Sequence, residues 1–483
     1  MRSKDLQNWE TVSYLFDDIK DTPRYDLNEG TVYGRGQWAT SLRYHKGTFW
    51  ALFVANDDPH KSMVFKTDDP AKGWKLHSRL PAYHDSSLFF DDDDRVYVFS
   101  GSGNIRLVEL TADLTDVKKG GINKTLELKG KPDGLHEGSR VIKHDGMYYL
   151  LCISWPRTGR QEICYRSKNI EGPYDSKVIL KSDFGGFPLA GQGTIVDGKH
   201  GEWYGVIFQD RAGVGRVLTI EPCNWIDGWP MLGRLSDGKI PETMTVEKFD
   251  NEPMKADQMM IPTGTFVTKD YQWNHNIVAD AISVTDKNGN SISPLKVTPG
   301  STLTLKAIKA GNGGSPEGVT PSIYSARNTL TWRTWGPTCS DTIRIDASKM
   351  KDGDRAGLSA FNGDAGNLTI AKDGKKTYLV FTEENVSLSN DTKAITGVKV
   401  KEVERIAISA SKLKDVRLVM TGDFNPGRDI ANFSYSIDKG KTWHKIGGDY
   451  KMIFDYRRLF MGTRYAAFYY PTKQPGGTVT VKL

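Results

Sequence analysis

The sequence has no apolar run near the ~20 residues a membrane-crossing helix needs, so a helical membrane protein is not expected. It has only four cysteines in 483 residues, Cys152, Cys164, Cys223 and Cys339. None form a CxxC pair or stand at zinc-ligand spacing, so buried thiols are expected, with a Cys152–Cys164 bridge the lesser alternative. A basic stripe is also missing. The formal charge is +6, but Lys and Arg are scattered and interrupted by acidic runs such as Asp91–Asp94, and no nucleic-acid-binding motif accompanies them. Nucleic acid and membrane are therefore not expected partners. No signal-peptide pattern opens the chain, which leaves the compartment open between secreted or periplasmic and cytoplasmic. The oligomeric state is equally open.

What is abundant points to β structure. There are 49 Gly, 20 Tyr and 12 Trp, with 38% hydrophobic and 26% charged residues. That composition suits a soluble chain of many short strands joined by tight turns. Its length allows two or three domains.

The first half repeats itself. One phrase has a polar start and a strand-like end: WATSLRY (38–44), HDSSLFF (84–90), HEGSRVI (136–142) and AGQGTIV (190–196). Each is followed by a Gly or Asp turn and an aromatic or β-branched run, as in HKGTFWALFVA, DDDRVYVFS, HDGMYYLLCIS and KHGEWYGVIFQD. These are β-hairpin signatures. A third, outer phrase ends a strand in Ser or Thr, then Asp or Asn, then a turn closed by Trp or Tyr, as in VFKTDDPAKGWKL (64–76) and ICYRSKNIEGPYD (163–175). Weaker copies run from Leu107 to Asp113 and from Val217 to Trp225, and a further copy opens the chain. A unit of about 50 residues without helical periodicity is that of a β-propeller blade. The expected fold is therefore all-β: a five-bladed β-propeller whose first blade is incomplete, with Met1 near the end of that blade.

In a propeller the innermost strands line the axis, so their first polar residues share one funnel. Aligning the four copies places Ala39, Asp85, Glu137 and Gly191 in equivalent positions. Two separated carboxylates are the minimum equipment for cleaving a glycosidic bond, one protonating the leaving oxygen. The same residues also suit capping of turns at strand starts. The GRGQWA stretch (34–39) is a chance match to a dinucleotide fingerprint, because no helix follows it. Asp91–Asp94 lacks alternating calcium-ligand spacing and suits a solvated hairpin turn. His45, His144 and His200 occupy equivalent turns, which suits structural repetition.

Taken together, these phrases resemble glycoside hydrolase family 43, five-bladed propellers that remove xylose or arabinose from xylan. RSKDLQNWE, WATSLRYHKGTFW, HDSSLFFDDDDRVYV, HEGSRVIKHDGMYYL, RSKNIEGPY and GRVLTIEPCNWIDGWP carry the likeness in order. The resemblance implies an inverting β-xylosidase or α-L-arabinofuranosidase acting on xylo- or arabinoxylo-oligosaccharides. It implies that Glu137 is the general acid and that Asp85 raises its pKa and orients the sugar. It also implies that Arg216 bonds sugar hydroxyls and that Trp38 forms an aromatic wall. Gln192 offers its amide to a sugar or a water, or serves the structure.

Two departures accompany the likeness. The family's general base is an Asp on the inner strand of the first blade, and no residue here matches it, so a catalytically inactive carbohydrate-binding propeller is the alternative. The family also holds a central ion, often calcium, with a His where this chain has Gly191. No metal or cofactor is therefore expected.

The propeller is expected over 1–236 and a polar linker over 237–260. Over 261–483, STLTLKAI, DTIRIDAS and TYLVFTEEN read as strands of an antiparallel β-sandwich. YQWNHN and ARNTLTWRTWGP resemble the xylan-associated sandwich that accompanies the family's xylosidases. Trp332 and Trp335, an odd number of positions apart, are not expected to pair on a sugar.

Overall fold

The computed structural model describes residues 1–3, 9–181, 187–188, 190–198, 200–233, 259–260, 269–311 and 321–483. The linker expected over 237–260 lies outside the described residues, save for one short strand.

The described chain is built almost wholly of strands. A two-stranded sheet, β1 (Arg2–Ser3) and β2 (Trp9–Glu10), precedes four antiparallel meanders. The first meander is β3 (Ser41–His45), β4 (Thr48–Val54), β5 (Ser62–Thr67) and β6 (Lys75–Leu80). The second is β7 (Ser87–Phe90), β8 (Val96–Ser100), β9 (Arg106–Leu110) and β10 (Asn123–Thr125). The third is β11 (Leu135–His144), β12 (Met147–Trp155), β13 (Gln161–Ser167) and β14 (Asp175–Leu180). The fourth is β15 (Ala190–Asp197), β16 (Trp203–Asp210), β17 (Arg216–Ile226) and β18 (Trp229–Leu232), and β19 (Met259–Met260) adds a strand beside β17. These are the expected propeller blades.

Each repeated phrase makes one repeated local structure. Lys46-Gly47 and Asp145-Gly146 both have φ above zero at each residue, the two-residue turn whose twist matches its hairpin strands. In the outer phrase, the Asp69 N–H donates to Thr67 Oγ1 (3.2 Å) and Ala71 N–H to Asp69 Oδ1 (2.9 Å). The third meander does the same, Asn169 N–H to Ser167 Oγ (3.1 Å) and Glu171 N–H to Asn169 Oδ1 (3.0 Å). These side-chain turns make the Ser/Thr and Asp/Asn pattern recur. The inner serines join blades: Ser41 Oγ accepts from Leu88 N–H (2.9 Å) and Ser87 Oγ from Val141 N–H (3.0 Å).

Core layers lie between blades. Tyr149 and Leu151 of β12 pack with Ile179, Ile207 and Met231, while Leu150 and Cys152 pack with Phe99 and Tyr165. A strand buried on both faces needs apolar residues in unbroken sequence, which is why MYYLLCIS lacks alternation. The same geometry separates two cysteines. Cys152 pairs with Ile163 and Cys164 with Leu151, so the two thiols enter different layers. All four cysteines are free and buried.

Asp91 corrects one expectation. It is buried, accepting from Lys143 Nζ and Tyr148 Oη at 2.7 Å each, so the acidic hairpin is anchored at its first residue rather than solvated throughout.

The chain divides into two compact units, and not by a single cut. The first comprises Met1–Phe16, Gly36–Arg211 and Arg216–Ile261; the second comprises Asp17–Arg35, Ala212–Gly215 and Pro262–Leu483. Asp17–Arg35 and Ala212–Gly215, placed in the propeller by the sequence reading over 1–236, group with the second unit. Leu27 and Tyr33 join Tyr324, Phe361 and Phe468 in its core, and Tyr33 Oη donates to the Tyr324 carbonyl at 2.8 Å. A chain position says nothing of this, because the segment has no strand period.

The second unit holds two antiparallel sheets of seven and eight strands, the expected sandwich. Trp332 is buried and stacks on Tyr465 at 5.4 Å, and Trp335 lies 6.1 Å from the same ring.

Candidate active site

The bulge in β11 builds the site. Glu137 pairs with Ile153 and Arg140 with Leu151, so one extra residue interrupts the ladder. The equivalent strand β15 is interrupted one position earlier, between Ala190 and Gly193. Such a bulge re-aims the side chains around it. Gly138, at φ 78°, lets β15 approach; a Cβ there would meet the Gln192 side chain at 2.5 Å. Gln192 Nε2 in turn donates to Asp85 Oδ2 at 3.0 Å. Asp85 itself has φ 44°, an uncommon conformation for a residue with a side chain, and costs the backbone of order 1–3 kcal/mol. Strain of this kind gathers at functional sites.

Asp85 and Glu137, from neighbouring blades, are brought to one place as expected. Between them stands a side chain that the sequence reading missed. His84 Nε2 lies 3.0 Å from Glu137 Oε2 and 4.0 Å from Asp85 Oδ1. One side-chain polar atom from each of the three falls within 4.8 Å of the others. The signal was present in the aligned phrases, since both acidic residues follow a histidine (His84-Asp85, His136-Glu137). The two imidazoles have opposite fates. His136 is fully buried with Nε2 2.9 Å from Tyr165 Oη, and burial pushes its pKa down to about 4.

His84 reverses the expected electrostatics of the carboxylates. Burial pushes Glu137 up, but hydrogen bonds from His84 and Ser102 and the charges of His84 and Arg216 outweigh burial, so its carboxyl sits below the usual range. Asp85 is raised instead, chiefly by burial, against the opposing charge of His84 and the hydrogen bond from Gln192. His84 is raised, first by its hydrogen bond to Glu137. Hydrogen bonding from His84 therefore favours the carboxylate form of Glu137, where Asp85 had been expected to favour the protonated one.

The other expected residues stand around this trio. The Trp38 ring meets His84 edge-on at 5.5 Å. Arg216 is close enough for its charge to act on Glu137; its Nε donates to Asp210 Oδ1 at 3.2 Å and its guanidinium covers Phe208. Asp210 also pairs with the buried Arg160 at 2.7 Å.

Beside Asp85, Arg140 donates to the carbonyls of Ser139 (2.7 Å) in β11, and of Ser86 (3.0 Å) and Thr40 (3.2 Å) just before β7 and β3. Arg43 donates to Ser87 Oγ and the Val141 carbonyl. At Gly191, where a metal-binding histidine would stand, a Cβ would lie 3.3 Å from the Gln161 carbonyl and from Glu162 Oε2. Guanidinium groups already engage the axial carbonyls and would repel a divalent ion, so these residues do not fit a central cation.

Glu162 is fully buried nearby, and burial lifts its pKa to about 8 despite Arg140 and Arg160. A carboxyl whose folded pKa exceeds its unfolded value of 4.5 favours the folded state fully below pH 4.5, and that contribution is lost as pH rises to 8. Glu162→Gln is expected to melt near the wild type at pH 4.5 and progressively above it towards pH 8, by a gap on the order of a few kcal/mol. Calorimetry across that range checks it; a gap independent of pH refutes it.

A family model described as glycosyl hydrolases family 43 matches residues 1–230, and one described as the beta-xylosidase C-terminal concanavalin A-like domain matches residues 265–482. A putative beta-xylosidase of Xylanibacter ruminicola is 28% identical over 477 residues, covering 94% of this chain and 78% of its own. Among solved structures, a bifunctional GH43-CE protein of Bacteroides eggerthii superposes with a TM-score of 0.76 at 32% identity. That match covers 98% of this chain and 57% of the other. A GH43 glycoside hydrolase engineered to display both endo-xylanase and exo-arabinofuranosidase activity gives a TM-score of 0.77 at 25% identity, covering 98% of this chain and 89% of the other.

Proposed function

The chain belongs to glycosyl hydrolases family 43 through residues 1–230 and carries that family's xylosidase-associated sandwich after it, and from this we propose an exo-acting, inverting enzyme. It removes terminal xylosyl or arabinofuranosyl residues from xylan-derived oligosaccharides. The observation that carries the reading is the placing of Asp85 and Glu137 on neighbouring blades around one imidazole. Glu137 protonates the leaving glycosidic oxygen. Asp85, held by Gln192, accepts sugar hydroxyls and sets the field at Glu137. Arg216 donates to sugar hydroxyls, and Trp38 covers a ring face. Inversion also calls for a carboxylate that activates water on the opposite face of the sugar. The chemistry is assigned to side chains alone, without a metal. The relatives' names, beta-xylosidase and exo-arabinofuranosidase, support the substrate class.

A second reading, a binding protein without turnover, is favoured by the hydrogen bonds from His84 and Ser102, which suit Glu137 to accept a hydroxyl rather than to donate a proton. One experiment separates them. Xylobiose, 4-nitrophenyl β-xyloside and 4-nitrophenyl α-arabinofuranoside are incubated with the chain and followed by proton NMR. Release of a monosaccharide with its first-formed anomer inverted is expected. Calorimetric binding of xylo-oligosaccharide with no release from any of the three establishes the binding reading instead, and a retained anomer refutes inversion.

A further inference from the structure

The proposed reaction asks Glu137 to give up a proton, yet the hydrogen bonds it accepts favour its carboxylate form. Among the described residues, two side chains donate hydrogen bonds to it: the Ser102 hydroxyl and His84. Only the imidazole carries a proton that is exchanged near neutral pH. His84 Nε2 and Glu137 Oε2 are 3.0 Å apart, an ordinary hydrogen-bond distance along which a proton can pass. The His84 side chain is 35% exposed, so the same ring reaches solvent. Its surroundings on each side are known: Glu137 from β11, Asp85 next to it in the chain, and Trp38 against its face, with Arg216 acting on Glu137 and Arg140 on Asp85. The equivalent His136, buried against Tyr165, has no carboxylate hydrogen-bond partner among the described residues. Position in the repeat therefore does not explain the pairing of His84.

We propose that His84 loads Glu137 with the proton it delivers to the leaving group, an inference that rests on the reading of Glu137 as the acid. The N–H bond at Nε2 breaks as an O–H bond forms at Oε2, leaving neutral imidazole and a carboxylic acid. Glu137 then passes that proton to the glycosidic oxygen and returns to carboxylate, as the C–O bond breaks, the attacking water's oxygen bonds the anomeric carbon and the proton that water loses goes to solvent. The ring keeps its Nδ1–H, so the replacement proton enters at Nε2, from water that reaches this partly exposed ring. One proton enters and one leaves per turnover. Because the two groups share that proton, the alkaline limb of kcat/KM belongs to the pair and not to Glu137 alone.

Four readouts test this on the full chain, with Glu137→Gln run in parallel. His84→Gln is expected to lose about ten-fold or more in kcat on xylobiose, whose leaving group needs a proton, and much less on 4-nitrophenyl β-xyloside. Its alkaline limb on xylobiose moves down by about one pH unit, since the proton is then held by a carboxyl alone. Added imidazole restores turnover to His84→Gly. Independently of turnover, nitrogen NMR of the His84 ring follows its titration, and in Glu137→Gln the ring is expected to release its proton at lower pH than in the wild type. An unchanged leaving-group ratio and alkaline limb in His84→Gln, beside a Glu137→Gln that no longer turns over xylobiose, overturns the role of His84 alone. Full xylobiose turnover by Glu137→Gln overturns the acid assignment, and this inference with it. Identical His84 titration in wild type and Glu137→Gln overturns the shared proton even in a chain without activity.

Discussion

Glu137→Gln is expected to slow xylobiose hydrolysis by about a hundred-fold to ten-thousand-fold, the range that a positioned general acid supplies. Glutamine keeps the size of the side chain and can still meet His84, so the pocket loses a proton donor and little else. The discriminating quantity is the ratio between substrates. A nitrophenolate leaves without help, so 4-nitrophenyl β-xyloside should lose far less than xylobiose. KM for either should move little, because the interaction removed belongs to the transition state. Steady-state kinetics on both substrates measures this. Equal losses on the two would mean that Glu137 binds sugar or holds the site together, and is not the acid.

Arg140→Met is expected to destabilise the fold by about 3–5 kcal/mol, the cost of leaving a buried charge without its partner. The guanidinium is half-buried, and its charge faces the buried Asp85 carboxyl. It also satisfies carbonyls of Thr40, Ser86 and Ser139, and each buried acceptor left alone costs about 1–3 kcal/mol. These terms overlap and do not sum. Methionine fills the length of the side chain, which keeps the cavity contribution small. Urea titration reads the loss. Because the same three carbonyls lie beside the residues that aim Asp85 and Glu137, activity should fall at temperatures where the variant is still folded. A change below 1 kcal/mol would mean that water replaces the guanidinium at the axis.

The blades were legible because each repeated residue has one local job. The Lys46-Gly47 and Asp145-Gly146 turns, the Thr67 and Ser167 side-chain turns and the inter-blade bonds of Ser41 and Ser87 are all written within a few residues of chain. Alignment of those phrases sufficed to set Asp85 and Glu137 side by side. What it could not convey is direction. His84 and His136 are equivalent in the repeat, and only the packing around each makes one a partner of Glu137 and the other a neutral core residue. The sign of the shift at Glu137 depends on that packing too. The role of Arg140 was hidden for a similar reason, since its acceptors are main-chain carbonyls, which every sequence has. The grouping of Asp17–Arg35 with the second unit could not be read, because the segment has neither period nor repeat and its partners Tyr324 and Phe361 lie some three hundred residues away.

That last segment bears on inheritance. Genes for proteins built of separate modules can be recombined at the seam, each half keeping its own core. Here the chain gives Asp17–Arg35 to the second unit and then returns to make four blades. A crossover anywhere between Gly36 and Arg211 would join Leu27 and Tyr33 to a Tyr324 and Phe361 from another lineage. Buried contacts of that kind tolerate such mixing poorly. The propeller and the sandwich are therefore expected to have travelled together through descent, changing by substitution and not by exchange.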